Sequence, residues 1–489
     1  MNNDKNNKTN IKTTLINKLN QTRDNTLLHE ETDQYDIAMD VLGPEETETG
    51  HSVWQAVPRD VNQYFKPRVM AGGRALLREY NKFYPEGGLE FCMLEDGMPF
   101  IPGDPVLQVI GEKSKSRKLE PKILSILFYM TEIATRTKEL IDEFGADRII
   151  EVGMRASAPG AWKYSAEAFI TGGGKMTSNT SLRNVPGLVE GRDYTLVGTT
   201  GHSLYLEYMA TGCSQKEAFA KILVKSEKNF PNKPCSLLID TVDPMLGIHQ
   251  ALDVIKERKK VSGQTHYIRL DSGDLLSQAI YSLREMIPIM PDFKVVIEDG
   301  LTKEKMREYD KALKLAGFNP KKNIVYGLGG YFVNEISRDG NGAWAYKPSL
   351  YTTTNNGDVP VVKLSGNPLK QSLPGLIGIN YNIFGNRLEL HNEKYSVNKF
   401  VNDENQPEYL SKSIDELLKN AKPFWEKMSG ISHQWLESYN MSEELTKMQY
   451  DAVKRTHEFG YGSKNNLYQN VNENNTSNTN KANKTKAAV

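Results

Sequence analysis

Short apolar runs recur about every 30 residues along the middle of the chain, and each is followed by polar or glycine residues. Such runs are typical of strands buried on both faces, and the segments between them, such as GIHQALDVIKERKK, have the apolar spacing of helices. The alternation predicts a parallel α/β barrel from about 147 to 350. The runs are DRIIEVG (147–153), SLLIDTVD (236–243), THYIRLDSGD (265–274), FKVVIEDG (293–300) and NIVYGLGG (323–330).

The flanking segments have other patterns. Residues 119–145 carry apolar residues at helical spacing, with Pro121 near the start and Gly145 at the end, which predicts a long buried helix. The two ends of the chain are rich in Asn, Lys and Thr, which predicts disordered tails. The predicted domains are a tail (1–25), a small N-terminal domain (26–146, with part of the chain after 350), the barrel (147–350), a C-terminal part completing the small domain or an interface (351–463), and a tail (464–489).

Side chains alternate across a strand, so the stretch IRLDSGDL (268–275) divides its residues between two faces. Ile268 and Leu270 point to one face, and Arg269 and Asp271 to the other. An arginine and a carboxylate buried against an apolar helix layer would be costly. We therefore predict that both face the inside of the barrel, near the carboxyl ends of its strands, where α/β proteins bind ligands.

Composition limits the classes of function. Of 489 residues, 61 are basic and 61 acidic, so a formal net charge of zero gives no general attraction to nucleic acid or to an acidic membrane. The chain has 3 cysteines and no CxxC pair, which argues against a disulfide framework and favours the reducing cytoplasm. No apolar run approaches the roughly 20 residues that cross a bilayer.

Several features at predicted strand ends could carry chemistry. GLGG (327–330) can turn backbone N–H groups towards an anion, although a tight turn explains it equally well. GTTGHS (198–203) places His202 just past a strand, where a lone histidine is more often a packing or surface residue. Asp240 and Asp271 each follow an apolar run directly. Together, glycines, an arginine, carboxylates and a histidine suit a phosphorylated sugar bound with magnesium.

The order of motifs along the chain is more specific than any one of them. They are TDQYDIAM (32–39), PGDPVLQVIG with LEPKIL and IAT (102–135), GMR (153–155), TSN (177–179), GTTGHS, LLIDTVD, RLDSGDL, GLGG and KLSGNPLKQSLPG (363–375). In this order they resemble the nicotinate phosphoribosyltransferase family and its close relative, nicotinamide phosphoribosyltransferase. The likeness covers most of residues 31 to 375.

The resemblance implies a type II phosphoribosyltransferase fold of the α/β class, in which an irregular α/β barrel is joined to a smaller α+β domain. It implies a homodimer with active sites at the interface. It also implies the reaction, in which nicotinate and phosphoribosyl pyrophosphate give nicotinate mononucleotide and pyrophosphate in NAD salvage. Magnesium would be the cofactor and ATP a coupling substrate.

The resemblance also assigns roles by position. His202 would be the histidine that ATP phosphorylates, Arg269 and Asp271 would hold the ribosyl and phosphate groups, and Asp240 would be a further catalytic carboxylate. Metal ligands stay unassigned. The substrate-binding residues would be Tyr35, stacking on the pyridine ring from the partner subunit, Arg155, Thr177, Ser178 and Asn179 at the base, and Asp299, Gly329, Gly330 and Arg338, with the two glycines at the 5′-phosphate.

The choice between nicotinate and nicotinamide depends on Ser178. The nicotinamide relatives have an aspartate at this position, which would repel the carboxylate of nicotinate, whereas a serine can donate to it. At an effective dielectric constant near 20, like charges about 4 Å apart cost roughly 4 kcal/mol, or about a thousandfold in affinity. GLGG with Arg338 and Lys347 is closer to the nicotinamide relative, which stays an alternative.

Two further classes stay open. A noncatalytic relative could bind nucleotide without turnover, although loss of Asp240 or Asp271 would be its expected mark. A barrel aldolase or isomerase acting on a sugar phosphate would need a lysine or a general base at a strand end. Lys225 and Lys347 are the nearest candidates, and neither ends a predicted strand.

Overall fold

The structure is a computed structural model that describes residues 42–44, 49–59, 66–198, 200–231, 233–336, 344–364, 372–381, 387–391, 396–429 and 441–461. The predicted tails lie outside these ranges. Two predicted site residues, Tyr35 and Arg338, lie outside them as well. In the described part of the chain, no helix is both long and apolar enough to span a membrane. All three cysteines are free thiols.

Seventeen strands are described. They are β1 (His51–Pro58), β2 (Arg68–Val69), β3 (Leu89–Met93), β4 (Pro99–Phe100), β5 (Leu107–Glu112), β6 (Ile149–Glu151), β7 (Met176–Thr177), β8 (Thr195–Leu196), β9 (Ser236–Leu238), β10 (Tyr267–Leu270), β11 (Val295–Ile297), β12 (Ile324–Leu328), β13 (Trp344–Thr353), β14 (Gly357–Pro360), β15 (Ile377–Ile379), β16 (Leu388–Leu390) and β17 (Lys399–Val401).

The described helices alternate with the strands in the middle of the chain. They are α1 (Gly73–Phe83), α2 (Lys113–Lys118), α3 (Glu120–Phe144), α4 (Trp162–Thr171), α5 (His202–Ala210), α6 (Gln215–Asn229), α7 (Pro244–Ser262), α8 (Leu275–Met286), α9 (Lys303–Leu315), α10 (Pro320–Asn323), α11 (Gly330–Val333), α12 (Gln406–Ser411), α13 (Ile414–Ser429) and α14 (Glu443–Tyr461).

Seven short strands form one parallel sheet in the order β8-β7-β6-β12-β11-β10-β9. Its two edge strands, β8 and β9, are consecutive in the chain, and Thr200 links them. The Thr200 N–H donates to the Ser236 carbonyl at 3.2 Å, and the Leu238 N–H donates to Thr200 Oγ1 at 3.0 Å. The sheet therefore curls into an irregular barrel, as predicted.

Apolar side chains divide between the outside and the inside of this barrel. Ile268 and Leu270 of β10 belong to the main core, which lies between the strands and the surrounding helices. Ile150, Val296 and Val325 form a separate small cluster. Because parallel neighbours in register point their side chains the same way, this inner cluster shares its face with Arg269, which is paired with Val296.

The long helix predicted for 119–145 is present as α3, which ends where Gly145 takes a positive φ of 94°. It packs closely against the end of α4. At Gly172 a β-carbon would lie 2.4 Å from the Ala134 carbonyl oxygen, so only glycine permits this approach. The second core of the protein packs against the N-terminal half of α3 and includes Ile123 and Leu127.

A second, antiparallel sheet has the order β14-β13-β1-β5-β3-β17. It combines strands from before the barrel with strands from after it, since β1 pairs with β5 on one side and with β13 on the other. This is the smaller α+β part of the fold. The chain bounds proposed for the domains stay predictions.

Candidate active site

Three carboxylates end three neighbouring strands at the carboxyl edge of the barrel. Asp240 follows β9, Asp271 follows β10 and Glu298 follows β11, and the register of these strands brings the three positions level with one another. Arg269 lies two residues before Asp271 on the same face, and thus deeper in the barrel. The edge is therefore an acidic rim around one buried arginine.

Arg269 is held from two sides. Its Nη2 donates to Asp271 Oδ2 at 2.6 Å, and its Nε lies 3.1 Å from Glu298 Oε2. Only 11% of the arginine side chain and 8% of the Glu298 side chain are exposed. The pKa of Glu298 is raised, mainly because the side chain is buried. The Asp271 carboxylate also raises this pKa, whereas the positive charges of Arg269 and Arg155 lower it. A preorganised guanidinium of this kind is suited to a phosphate or a carboxylate.

Asp240 connects two strand ends to His202. Its Oδ2 accepts a hydrogen bond from Ser272 Oγ at 2.5 Å, whereas its buried Oδ1 has no hydrogen-bond partner in the described part of the chain. His202 begins α5 with its Nε2 3.8 Å from Asp240 Oδ1 and its Nδ1 3.1 Å from Thr241 Oγ1. The histidine is 47% exposed, so it lies where a ligand can reach both it and Asp240.

Another buried carboxylate, Glu151, organises the next part of the edge. Its Oε1 accepts the Gly153 N–H at 2.6 Å and its Oε2 accepts the Thr177 hydroxyl at 2.6 Å. The Ser178 N–H and hydroxyl both donate to the Glu151 carbonyl, at 2.9 and 3.3 Å, and Ser178 is exposed at the rim. Burial raises the pKa of Glu151. One side chain thus ties the turn after β6 to the end of β7.

Asn179 has a local role in this stretch. Its Oδ1 accepts from the Ser181 N–H and hydroxyl at 3.0 and 2.7 Å, and its Nδ2 donates to the Trp162 carbonyl at 2.8 Å. These bonds cap the 3₁₀ helix Thr180–Asn184, which follows β7. Both Asn179 and Thr177 are fully buried, so they position the rim, and Ser178 between them is exposed.

The remaining predicted site residues surround this centre. Arg155 is exposed on the turn that Glu151 anchors, and its charge acts on Glu298. Asp299 is exposed, with a positive φ of 74°. Gly329 and Gly330 follow β12, where a β-carbon on Gly329 would lie 3.1 Å from the Val152 carbonyl oxygen. Backbone from two strand ends meets closely at this glycine loop.

Sequence reasoning missed two acidic residues of the site, Glu151 and Glu298. The signal for Glu298 was present, because it shares strand parity with Val296 and so faces the same way as Arg269. Glu151 ends an otherwise apolar run, which is a weaker signal. Within the described ranges, no three His, Cys, Asp or Glu side chains come together as a metal site.

Comparison with known proteins gives a consistent result. Residues 183–381 match the model of the nicotinate phosphoribosyltransferase (NAPRTase) family. The chain is 28% identical over 293 residues to nicotinate phosphoribosyltransferase of Bacillus subtilis, covering 58% of this chain and 53% of that protein. It is 24% identical over 343 residues to the Bos taurus protein of that name, covering 59% of each. The chain thus spans little more than half the length of these relatives.

The fold is similar to two solved structures. Human nicotinic acid phosphoribosyltransferase matches with a TM-score of 0.56 at 17% identity, over 86% of this chain and 99% of that chain. The nicotinate-nucleotide pyrophosphorylase of Pyrococcus furiosus matches with a TM-score of 0.57 at 16% identity, over 81% and 95%. The barrel with its smaller domain is thus the predicted type II phosphoribosyltransferase fold, and residues 183–381 carry the match to the nicotinate phosphoribosyltransferase family.

Proposed function

We propose that the protein transfers the phosphoribosyl group of phosphoribosyl pyrophosphate to nicotinate. The observation that carries this proposal is the buried Arg269, held by Asp271 at 2.6 Å at the carboxyl edge of the barrel, within the RLDSGDL motif that resembles the family. The test is product formation from phosphoribosyl pyrophosphate and magnesium with nicotinate or nicotinamide. Binding of phosphoribosyl pyrophosphate without turnover would instead support a noncatalytic relative.

The residues suit a dissociative displacement at C1 of the ribose. The C1–O bond to pyrophosphate breaks, the ring nitrogen of nicotinate supplies the electron pair of the new C1–N bond, and no proton changes place. Fixed carboxylates would stabilise the positive charge that develops on the sugar. Asp240 and Asp271, at the carboxyl edge of the barrel, are the candidates for this role. Arg269 orients the anionic substrate. Catalysis of this kind depends on positioning and charge rather than on a protein nucleophile.

Magnesium fits the donor atoms at this edge. Asp240 Oδ1 is a buried carboxylate oxygen without a hydrogen-bond partner among the described residues, which is a costly state that a cation would relieve. Magnesium in phosphoryl sites is commonly held by one or two carboxylates together with substrate oxygens, so a cluster of three protein ligands is not required. When bound, the ion would neutralise charge on the leaving pyrophosphate. Asp240 and Asp271 would hold it.

Ser178 is the residue proposed to select nicotinate over nicotinamide. Its exposed position at the end of β7, on the same rim as Arg155, supports contact with the acid group of the base. Ser178→Asp would place a carboxylate there, and two like charges about 4 Å apart cost roughly 4 kcal/mol. We expect kcat/KM for nicotinate to fall by about a hundredfold or more, with nicotinamide affected less. Ser178→Ala is the matched control, and an equal loss for both bases in Ser178→Asp would contradict the assignment.

ATP coupling through His202 is part of the proposal. The histidine is exposed, and its Nε2 lies 3.8 Å from Asp240, so a phosphorylated ring would adjoin the carboxylates that bind the substrate. We expect His202→Ala to abolish the stimulation of product formation by ATP while basal transfer falls much less. Equal loss of both rates would show that His202 serves the transfer step itself.

A homodimer is also proposed. Five large apolar residues on elements that follow barrel strands are 40% to 58% exposed, which supports burial of the barrel mouth by a second copy. They are Met154, Leu206, Val242, Met245 and Leu246. The resemblance supplies Tyr35 from the partner subunit. Light scattering coupled to gel filtration tests the dimer, and Leu206→Lys with Val242→Lys should yield monomers with impaired turnover.

A further inference from the structure

Large apolar side chains are exposed at the amino edge of the barrel, opposite the acidic rim. Phe230, Val261 and Ile289 each lie six residues before the start of a strand, namely β9, β10 and β11. Leu315 lies nine residues before the start of β12. The exposed fractions of the four residues are 59%, 74%, 56% and 81%, in chain order. Four consecutive strands are thus each preceded by one large apolar residue that is mostly exposed.

Another part of the same edge is covered by α13. Lys175, directly before β7, pairs with Asp415 at the start of this helix. The Asp415 N–H donates to Oδ1 of Asp193, two residues before β8, at 3.3 Å. Ile414 and Leu417 of α13 belong to the main core. The edge near β7 and β8 is therefore closed by the protein itself, whereas the apolar side chains near β9 to β12 stay exposed.

The exposed part of this edge is also basic. The stretches that run from the last helical turn to the next strand carry nine Lys or Arg residues and three Asp or Glu residues. In the chain, Lys260 adjoins Val261 and Lys314 adjoins Leu315. The net charge of zero is therefore unevenly distributed, because the opposite edge of the barrel is acidic. The four stretches, with their apolar residues, form the amino-edge surface: 226–235, 259–266, 283–294 and 312–323.

A cavity of about 420 Å³ adjoins Leu315, between the end of α3 and α9. Both carboxylates in its wall are already paired with arginines. Glu143 accepts from Arg307 at 2.5 and 2.7 Å. Asp310 accepts from Arg148 at 2.9 and 2.7 Å. The other charged groups in the wall are three lysines that form no ion pair with described residues, Lys311, Lys314 and Lys321. The cavity can therefore receive an anionic group beside an exposed leucine.

We propose that the amino-edge surface docks on a lipid bilayer that carries anionic phosphate headgroups. The apolar side chains would enter the interfacial layer of the bilayer, and the lysines would contact headgroup phosphates. A bilayer accepts separate apolar side chains among lysines, whereas interfaces between proteins are depleted in lysine. Single-stranded nucleic acid stacks on aromatic side chains, and three of these four side chains are aliphatic. The active-site rim, at the other edge of the barrel, would stay open to solution.

The experiment is sedimentation of the full chain with lipid vesicles. One set of vesicles is phosphatidylcholine alone, and the other is equal parts phosphatidylcholine and phosphatidylglycerol. Wild-type protein should bind the anionic vesicles much more tightly than the neutral ones. Raising the salt from about 0.1 M to about 1 M shortens the screening length from about 10 Å to about 3 Å and should weaken this binding.

Two double variants test the two parts of the surface. Val261→Ser with Leu315→Ser should weaken binding to anionic vesicles about tenfold or more, because even partial burial of two such side chains supplies that factor. Lys314→Glu with Lys321→Glu should weaken it about twentyfold or more, since each lysine near an anionic surface contributes about a fivefold factor. Val224→Ser, at an exposed apolar residue of α6, is the control and should match wild type.

Several results would overturn the inference. They include no binding of wild type to anionic vesicles, equal binding to neutral ones, or unchanged binding in either double variant. A lower mass of the apolar double variant in light scattering would make the surface a contact between copies of the chain. Tighter binding of a single-stranded RNA than of vesicles, lost in the lysine double variant, would assign the surface to nucleic acid. Should a variant not fold, the lipid and salt dependence of wild type decides. None of these results bears on the proposed transfer reaction, which is assayed without vesicles.

Discussion

The buried Glu151 carboxylate makes a quantitative prediction about how the base site is held. It receives two hydrogen bonds of 2.6 Å, one from the Gly153 N–H and one from the Thr177 hydroxyl, at positions without access to solvent. Glu151→Ala would leave both donors without this acceptor. Each buried unsatisfied donor costs about 1 to 3 kcal/mol, so we expect a loss of about 2 to 6 kcal/mol in the free energy of unfolding.

Glu151→Gln is the informative partner variant. A glutamine has nearly the same shape, its Oε1 can accept the Gly153 N–H, and the Thr177 hydroxyl can rotate to accept from its amide. We therefore expect a change within about 1 kcal/mol. Unfolding in urea, followed by far-UV circular dichroism, gives both values. The turn that carries Arg155 should also loosen in Glu151→Ala, which raises the KM for nicotinate more than the KM for phosphoribosyl pyrophosphate.

The result that would refute this reasoning is a Glu151→Ala variant that is as stable as wild type. It would mean that water replaces the carboxylate at both donors, or that the turn after β6 is held by other contacts. A large loss in Glu151→Gln, similar to that in Glu151→Ala, would refute it in another way, because it would show that the charge and not the hydrogen-bond geometry stabilises the site.

Two further predictions concern stability. Burial raises the pKa of Asp96 from 3.8 to about 6, so the folded protein binds this proton more tightly than the unfolded protein does. The protonated carboxyl therefore contributes its full stability below about pH 4, and this contribution is lost as the pH rises through about 6. The free energy of unfolding should differ by about 3 kcal/mol between these limits. Asp96→Asn should remove that pH dependence in urea unfolding at pH 4.5 and 7, and an unchanged pH profile would contradict it. Gly247→Ala would put a β-carbon 1.8 Å from the Ile239 carbonyl oxygen, so α7 would have to move away from β9. We expect a lower Tm and a loss of at least about 2 kcal/mol in the free energy of unfolding. Gly263→Ala is the control and should lose less stability, because no atom lies near its β-carbon and only its φ of 73° is unfavourable.

Much of the barrel followed from local pattern. The five apolar runs became β6, β9, β10, β11 and β12, and the helices between them lie where the apolar spacing predicted. The two-residue strands β7 and β8 are too short for periodicity to predict, and they exist because their neighbours in the sheet supply the hydrogen bonds. The linking of β8 to β9 by Thr200 likewise depends on closure of the sheet.

The sequence by itself determined which residue types end the strands and, through alternation, that Arg269 and Asp271 share a face. These are local properties, since strand parity and apolar burial depend on neighbours in the chain. Only the tertiary structure decided which side chain each carboxylate contacts. Glu298 reaches Arg269 because β10 and β11 pair in one register, and Glu151 reaches Thr177 because β6 and β7 are adjacent. Contacts between residues 26 to 29 positions apart are set by packing of the whole sheet, which no local pattern specifies.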